Sequence, residues 1–133
     1  MNKEEFSTLS SKNKNYCEAL INIRKITTNV LPIGHSFIPY DILLLVMHYH
    51  HLGQDLTIKK LLNSGIHSDM GIRYHLKRLI EKDWVSIDVN EKDQRVRILR
   101  PTTKLHEHMD LMAQKIEEPF AEGLSLKIHE INK

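Results

Sequence analysis

From Lys12 to Leu31 the residues Tyr16, Leu20, Ile23, Thr27 and Val30 recur at three- and four-residue steps. That spacing predicts a helix with one apolar face, ended by Pro32 and Gly34. The first ten residues show no such pattern and read as a loose tail. Pro39 suits the first turn of a second helix, roughly Pro39–Leu52, which Gly53 stops. Within it Ile42–Met47 is apolar nearly all round, which predicts burial. Thr57 can cap a short third helix, Ile58–Asn63, broken by Ser64 and Gly65. Ser68 can cap a fourth helix running to about Lys82. Its apolar side carries Ile72, Leu76, Leu79 and Ile80, and its polar side Asp69, Met70, Arg73, Tyr74 and Lys77.

The period then changes to two. Val85, Ile87 and Val89 alternate with Ser86 and Asp88, and after the polar stretch Asn90–Gln94 the run Arg95–Ile98 alternates again. Two such runs around a polar turn predict a β-hairpin with one buried face. Pro101 ends the second strand and can open a last helix, Thr102–Glu118, with the apolar stripe Leu105, Met109, Met112 and Ile116. Pro119 should kink or stop it, and Leu124, Leu126, Ile128 and Ile131 suggest a short further element. A short helix, a tight turn with glycine and a longer helix have helix-turn-helix spacing. The following hairpin makes the expected architecture an α+β, mostly helical, winged helix-turn-helix.

Composition narrows the setting. The chain has 133 residues, enough for one domain or one domain with a helical extension. Its longest apolar run is six residues, far short of the roughly 18 that a membrane span needs. Residues 1–14 are polar without a signal-peptide core, and the single Cys17 excludes an internal disulfide. The expectation is a cytoplasmic protein with no membrane partner. The net charge of +2 conceals a gradient: residues 57–104 hold eleven Lys/Arg against six Asp/Glu, while residues 1–56 balance at five each. The acidic end, residues 105–133, has three against six. A basic middle points to an anionic partner for that region.

The basic middle contains the winged helix. A recognition helix in the major groove needs polar or adaptable side chains on the outer face of its first half. Ser68, Asp69, Met70, Arg73, Tyr74 and Lys77 occupy that face. Arg73 can read a guanine edge or hold a phosphate, and Ser68 with the helix start can hold a phosphate. Tyr74 can reach a phosphate or a thymine methyl. The hairpin turn carries Lys92, Arg95 and Arg97, with Arg100 close behind, the charge that suits a minor groove. Asp93, two residues before Arg95, can hold one arginine in place while another reaches out. Together these residues point to duplex DNA.

The segment Leu79–Arg95 (LIEKDWVSIDVNEKDQR), followed by Ile98–Lys104 (ILRPTTK), resembles the wing of MarR-family transcriptional regulators. That family typically has a Leu-Glu-Lys-Lys-Gly-Leu-Val run, an Asp-Arg-Arg wing tip and a Leu-Thr-x-Lys-Gly helix start. Asp93 and Arg95 fall on the wing pair, Thr102 and Lys104 on the Thr and Lys. The likeness extends more weakly back to about Tyr16. Asp83 stands where the family has Gly, Ile87 where Arg is frequent, Pro101 for Leu and Leu105 for Gly. Gly71 is unusual inside a recognition helix, costing about 1 kcal/mol against Ala. Two readings stay open for it: close approach to DNA, or a helix that reads bases poorly.

The resemblance implies a homodimeric repressor binding a pseudo-palindromic site, with no cofactor. Residues 1–11 would form a flexible tail and 12–133 a single domain. The winged helix would span about 39–101, between dimerisation helices at about 12–31 and 102–131. Tyr16, Leu20, Ile23, Leu105, Met109, Met112 and Ile116 would form the dimer interface. It also implies a small-molecule effector near the junction around Ile33–Tyr40 and His48–His51. Rival readings are a winged-helix protein-interaction module without DNA binding, and a repressor responsive to metal or redox state. For the latter, His48 and His51 share a helix face and could bind a metal, and Cys17 is the lone thiol. No phosphate loop, nucleophile elbow or metalloprotease helix occurs, so no catalytic residue is expected and the chain does not read as an enzyme.

Overall fold

Three hydroxyl groups start three of the helices in the computed structural model of the protein, which describes the backbone of residues 2–131 and the side chains of residues 2–118 and Ala121. Ser36 Oγ accepts from the Ile38 amide, Thr57 Oγ1 from that of Lys60, and Ser68 Oγ from that of Gly71, at 3.1–3.2 Å. Each hydroxyl satisfies an amide that has no partner within its helix. In chain order the elements are α1 (Lys3–Val30), α2 (Phe37–His51), β1 (Leu56–Thr57), α3 (Ile58–Leu62), α4 (Asp69–Glu81), β2 (Val85–Val89), β3 (Arg97–Pro101) and α5 (Thr103–Ile131). They divide into two units, one of α1 with the later part of α5, the other spanning Leu31–Met109.

The second unit is the winged helix, and α2 is its centre. Ile42, Leu43, Val46 and Met47 are at most 5% exposed, and α2 packs against α4, β1 and β3. Leu61, Ile72, Leu76, Leu79, Val85 and Leu105 complete the core. The sheet is antiparallel in the order β1-β3-β2, with Leu99 opposite both Leu56 and Ile87.

Several elements depart from expectation. The two-residue strand β1 is too short to leave an alternation in the sequence. Its pairing makes β3 the central strand, so Ile98 and Leu99 are both buried although they face opposite ways. Arg95 and Val96 precede the strand because the Val96 amide turns back to the Asp93 carbonyl at 3.0 Å. Helix α1 starts at Lys3 rather than near Lys12. Its first turns are exposed throughout, so no apolar stripe marks them. They hold no Gly or Pro, and Asn2 Oδ1 accepts from the Glu5 amide at 2.7 Å. Helix α5 continues past Pro119 to Ile131. A proline withholds one N–H and costs about 3 kcal/mol, which a helix of 29 residues sustains. Leu124, Leu126, Ile128 and Ile131 lie on this helix, but their side chains are outside the described residues. Among the described residues no helix is long and apolar enough to cross a membrane.

The end of α4 explains how Asp83 serves in place of glycine. The Trp84 amide bonds the Leu79 carbonyl at 2.9 Å and the Asp83 amide that of Ile80 at 3.1 Å. These are the paired bonds that close a helix through a left-handed residue. Asp83 has φ 65°, a conformation that strains an L-residue and suits Gly. Trp84 and Leu79 are both buried beside this turn. Asp83→Gly should therefore stabilise the fold by about 1 kcal/mol, raising Tm by roughly 4 °C in thermal unfolding at fixed protein concentration.

Candidate nucleic-acid interface

Helix α4 turns its apolar side inward and leaves the expected reading face in solvent. Ile72, Leu76 and Leu79 are buried, while Ser68, Asp69, Met70, Arg73, Tyr74 and Lys77 are all exposed. No hydrogen bond or ion pair to a described residue holds Arg73. Lys77 lies 4.0 Å from Glu81 one turn on, with its side chain 80% exposed. The Tyr74 hydroxyl accepts from Arg78 Nη1 at 3.2 Å, and the Arg78 guanidinium lies over the Tyr74 ring.

Gly71 serves a packing need. A Cβ there would stand 2.9 Å from Ile38 Cδ1 and 3.1 Å from Ser68 Oγ. The missing side chain lets the first turn of α4 lie directly on α2. The close approach is to the half-buried Ile38 side chain of α2, which the sequence could not identify because Ile38 is distant along the chain.

The hairpin tip is shaped by its own polar side chains. Asn90 Oδ1 accepts from the amides of Lys92 and Asp93, at 2.8 and 3.3 Å. Asp93 Oδ1 accepts from the Arg95 amide at 3.1 Å and from Arg95 Nε at 3.3 Å. Asp93 and Arg95 are thus brought together, with the Arg95 side chain still 93% exposed. Lys92 and Arg97 are exposed beside them. Arg100 is drawn off the wing: its Nε donates to Asp88 at 2.9 Å and its Nη2 to Asp55 at 3.4 Å. The sequence reading overlooked Lys59, which lines a groove of about 390 Å³ with Thr57, Ile58, Arg95, Val96 and Arg97. The adjacent pair Lys59-Lys60 was the available signal, but only the fold carries it to the wing. Lys60 is engaged by the Asp55 carbonyl at 3.1 Å.

The other expected sites fare differently. Leu105 is fully buried in the core of the winged unit, and Met112, at 6% exposure, is covered within the single chain. Neither has surface left for a second copy, because a periodic stripe shows which face is covered and not by what. Ile23, Met109 and Ile116 are half-buried, whereas Tyr16 and Leu20 are 43% and 63% exposed. His48 and His51 are both exposed, and among the described residues no three metal-ligating side chains gather. Instead the His50 ring meets His106 with centroids 4.9 Å apart. Cys17 is exposed, its Sγ donating to Asn13 Oδ1 at 3.3 Å.

A cavity of about 190 Å³ lies beside the second half of α4, lined by Pro32, Pro39 and Leu79, by the Trp84 ring and by His75, Arg78, Lys82 and Lys104. Lys104 Nζ sits 4.4 Å from the Trp84 ring centroid and donates to the Lys82 carbonyl. Partial burial, then the positive charges of Arg78 and His67, holds His75 below the usual imidazole range.

No protein-family model matches the chain, and no curated protein does. Solved structures match over nearly its whole length. YusO protein from Bacillus subtilis superposes with a TM-score of 0.69 at 13% identity, covering 99% of this chain and 95% of that one. A transcriptional regulator from Thermotoga maritima gives 0.62 at 16%, covering 95% and 82%. A MarR mutant from E. coli complexed with operator DNA gives 0.55 at 16%, covering 91% and 80%. The chain therefore has the MarR-like winged-helix fold that its wing sequence led us to expect.

The cavity sets a pH dependence. The folded chain binds a proton at His75 less readily than the unfolded chain, so unfolding takes one up. Stability should then fall as pH drops through about 6.5, the ordinary imidazole value. His75→Gln, which cannot titrate, should show a shallower loss in urea midpoint between about pH 7.5 and 5.5 than the parent chain.

Proposed function

We propose that the protein is a duplex-DNA-binding transcriptional regulator, acting as a homodimeric repressor. One observation carries this reading most: one winged-helix unit carries two exposed cationic elements. The outer face of α4 presents Arg73 and Lys77, and the wing presents Lys92, Arg95 and Arg97. The side chains that fix these elements are tied off internally, by Ser68 at the helix start and by Asn90 and Asp93 at the wing. Helix α4 would enter the major groove and the wing the adjacent minor groove. Asp93 would orient Arg95 toward the backbone. The likeness to a fold solved with operator DNA in E. coli MarR supports the same use. Repression, and relief by an effector, come from the family resemblance. The cationic cavity next to Trp84 suits a small anion, and Arg78, which lines it, would link it to Tyr74 on the outer face of α4.

The dimer reading rests on α1 together with the partly exposed stripe of α5. Tyr16 and Leu20 leave apolar surface in solvent, and Ile23, Met109 and Ile116 are half covered. A second copy related by a two-fold axis would cover them and set two α4 helices about one DNA turn apart.

The DNA reading is tested by fluorescence anisotropy with random duplexes across a salt series. Affinity should fall steeply with salt as neutralised phosphates release counterions. Arg95→Ala should weaken binding to all duplexes alike and lower the salt slope by about one. Arg73→Ala should do the same if it holds a phosphate, or relax selectivity at one base if it reads guanine. Unchanged affinity and slope in both variants, or no binding at low salt, would replace this reading with a protein-interaction module. Sedimentation equilibrium should give twice the chain mass, and Leu20→Lys should shift the population toward monomer by placing a charge in an apolar contact.

A further inference from the structure

We propose that α4 reads thymine methyl groups, with Met70 and Tyr74 as the two contacts. The inference rests on the DNA-binding reading above and names what in the duplex is read. Met70, Arg73, Tyr74 and Lys77 follow one another at the spacing that places side chains on one helix face. Two of these four positions, the first and the third, are largely apolar. Met70, in the first turn, is 82% exposed, and Tyr74, one turn later, is 57% exposed.

Both residues offer mainly apolar surface outward. Met70 ends in a thioether, a weak acceptor with no donor. The Tyr74 hydroxyl accepts from Arg78 Nη1 on its own helix and keeps its O–H for donation, and the Arg78 guanidinium sits 5.6 Å from the ring centroid. Besides that O–H, the surface the two present to a partner is ring carbon and a flexible, polarisable chain that adapts to an irregular surface. In the major groove one base presents an apolar group on its edge, and that group is the C5-methyl of thymine.

The turn that carries Met70 is capped and packed. Its neighbour Gly71 lets the first turn of α4 press on Ile38 of α2, and the Ser68 cap holds that turn closed. The first turn of a recognition helix is the part that reaches base edges. Both apolar contacts would therefore meet the groove without reordering the backbone.

The test starts from a duplex that the protein selects out of a random pool. Each thymine is then replaced in turn by deoxyuridine, which removes one methyl and keeps every base-pairing group. Affinity is read by anisotropy for the parent chain, Met70→Ala and Tyr74→Ala. The parent chain should lose about fourfold at one or two thymines in each half-site, the value of one buried carbon. At one of these Met70→Ala should no longer distinguish thymine from uracil, and at another Tyr74→Ala should not. The salt slope of Met70→Ala should stay unchanged, since no phosphate contact is lost. Uniform indifference to deoxyuridine, or losses undiminished in both variants, would overturn the inference and leave the DNA-binding reading intact. A pool that yields no salt-dependent binder would overturn both.

Discussion

The winged unit is organised by the burial of α2. A helix that is apolar on nearly every side cannot give one face to solvent, so it draws neighbours onto all of them. Ile42, Leu43, Val46 and Met47 are covered by α4, β1 and β3. This constraint sets the height of α4. Its first turn comes close enough to α2 that residue 71 has no room for a Cβ unless Ile38 yields. A helix held that firmly on its inner side has a defined outer side, and the exposure of Met70, Arg73 and Tyr74 follows from the packing beneath them. A glycine that lowers helix propensity by about 1 kcal/mol thus leaves room for the Ile38 side-chain tip against the first turn of α4.

The same packing sorts the cations. Residues 57–104 carry five positive charges in excess, but the surplus is not uniformly available. Arg100 bridges Asp88 and Asp55, Lys60 is held by a carbonyl, Lys104 lies over Trp84, and Arg78 is committed to Tyr74. Arg73, Arg97, Lys92 and Lys59 remain in solvent. Arg95 is intermediate, joined to Asp93 with its side chain almost wholly exposed. An ion pair in that setting contributes little to stability, about 0–1 kcal/mol. Its consequence is geometric, because the carboxylate limits the directions the guanidinium can take.

Much of this was legible in the sequence wherever a local rule decides. Ser68 and Thr57 are residue types that favour a helix start, and the 3.6-residue pattern of Ile72, Leu76 and Leu79 orients α4. The Asp93–Arg95 contact spans two residues, so spacing could suggest it. What escaped depends on distant partners. Strand β1 exists only because Leu99 accepts Leu56 as a neighbour. Leu105 was placed at an interface because its stripe is apolar, while its burial comes from the winged unit itself. The first turns of α1 left no trace, since a helix exposed on every side has no hydrophobic period. Lys59 became part of the wing only when the fold set α3 beside Val96.

A reader built from apolar contacts raises a question of magnitude. One methyl contact is worth about fourfold, too little to separate one site from many competitors. Two contacts on each α4 and two copies of α4 give four, which multiply to roughly 250-fold when the sites are independent. The exposed apolar surface of α1, with Leu20 at 63% and Ile21 at 55%, is the part of the chain that would supply the second copy. The two open features of this molecule therefore bear on each other. Weak, methyl-directed reading would gain selectivity when doubled, and in the proposed dimer the exposed apolar residues of α1 would be the means of doubling it. The phosphate contacts of the wing add affinity without choosing among sequences, so selectivity in such an assembly rests on the symmetry of α4 about the two-fold axis.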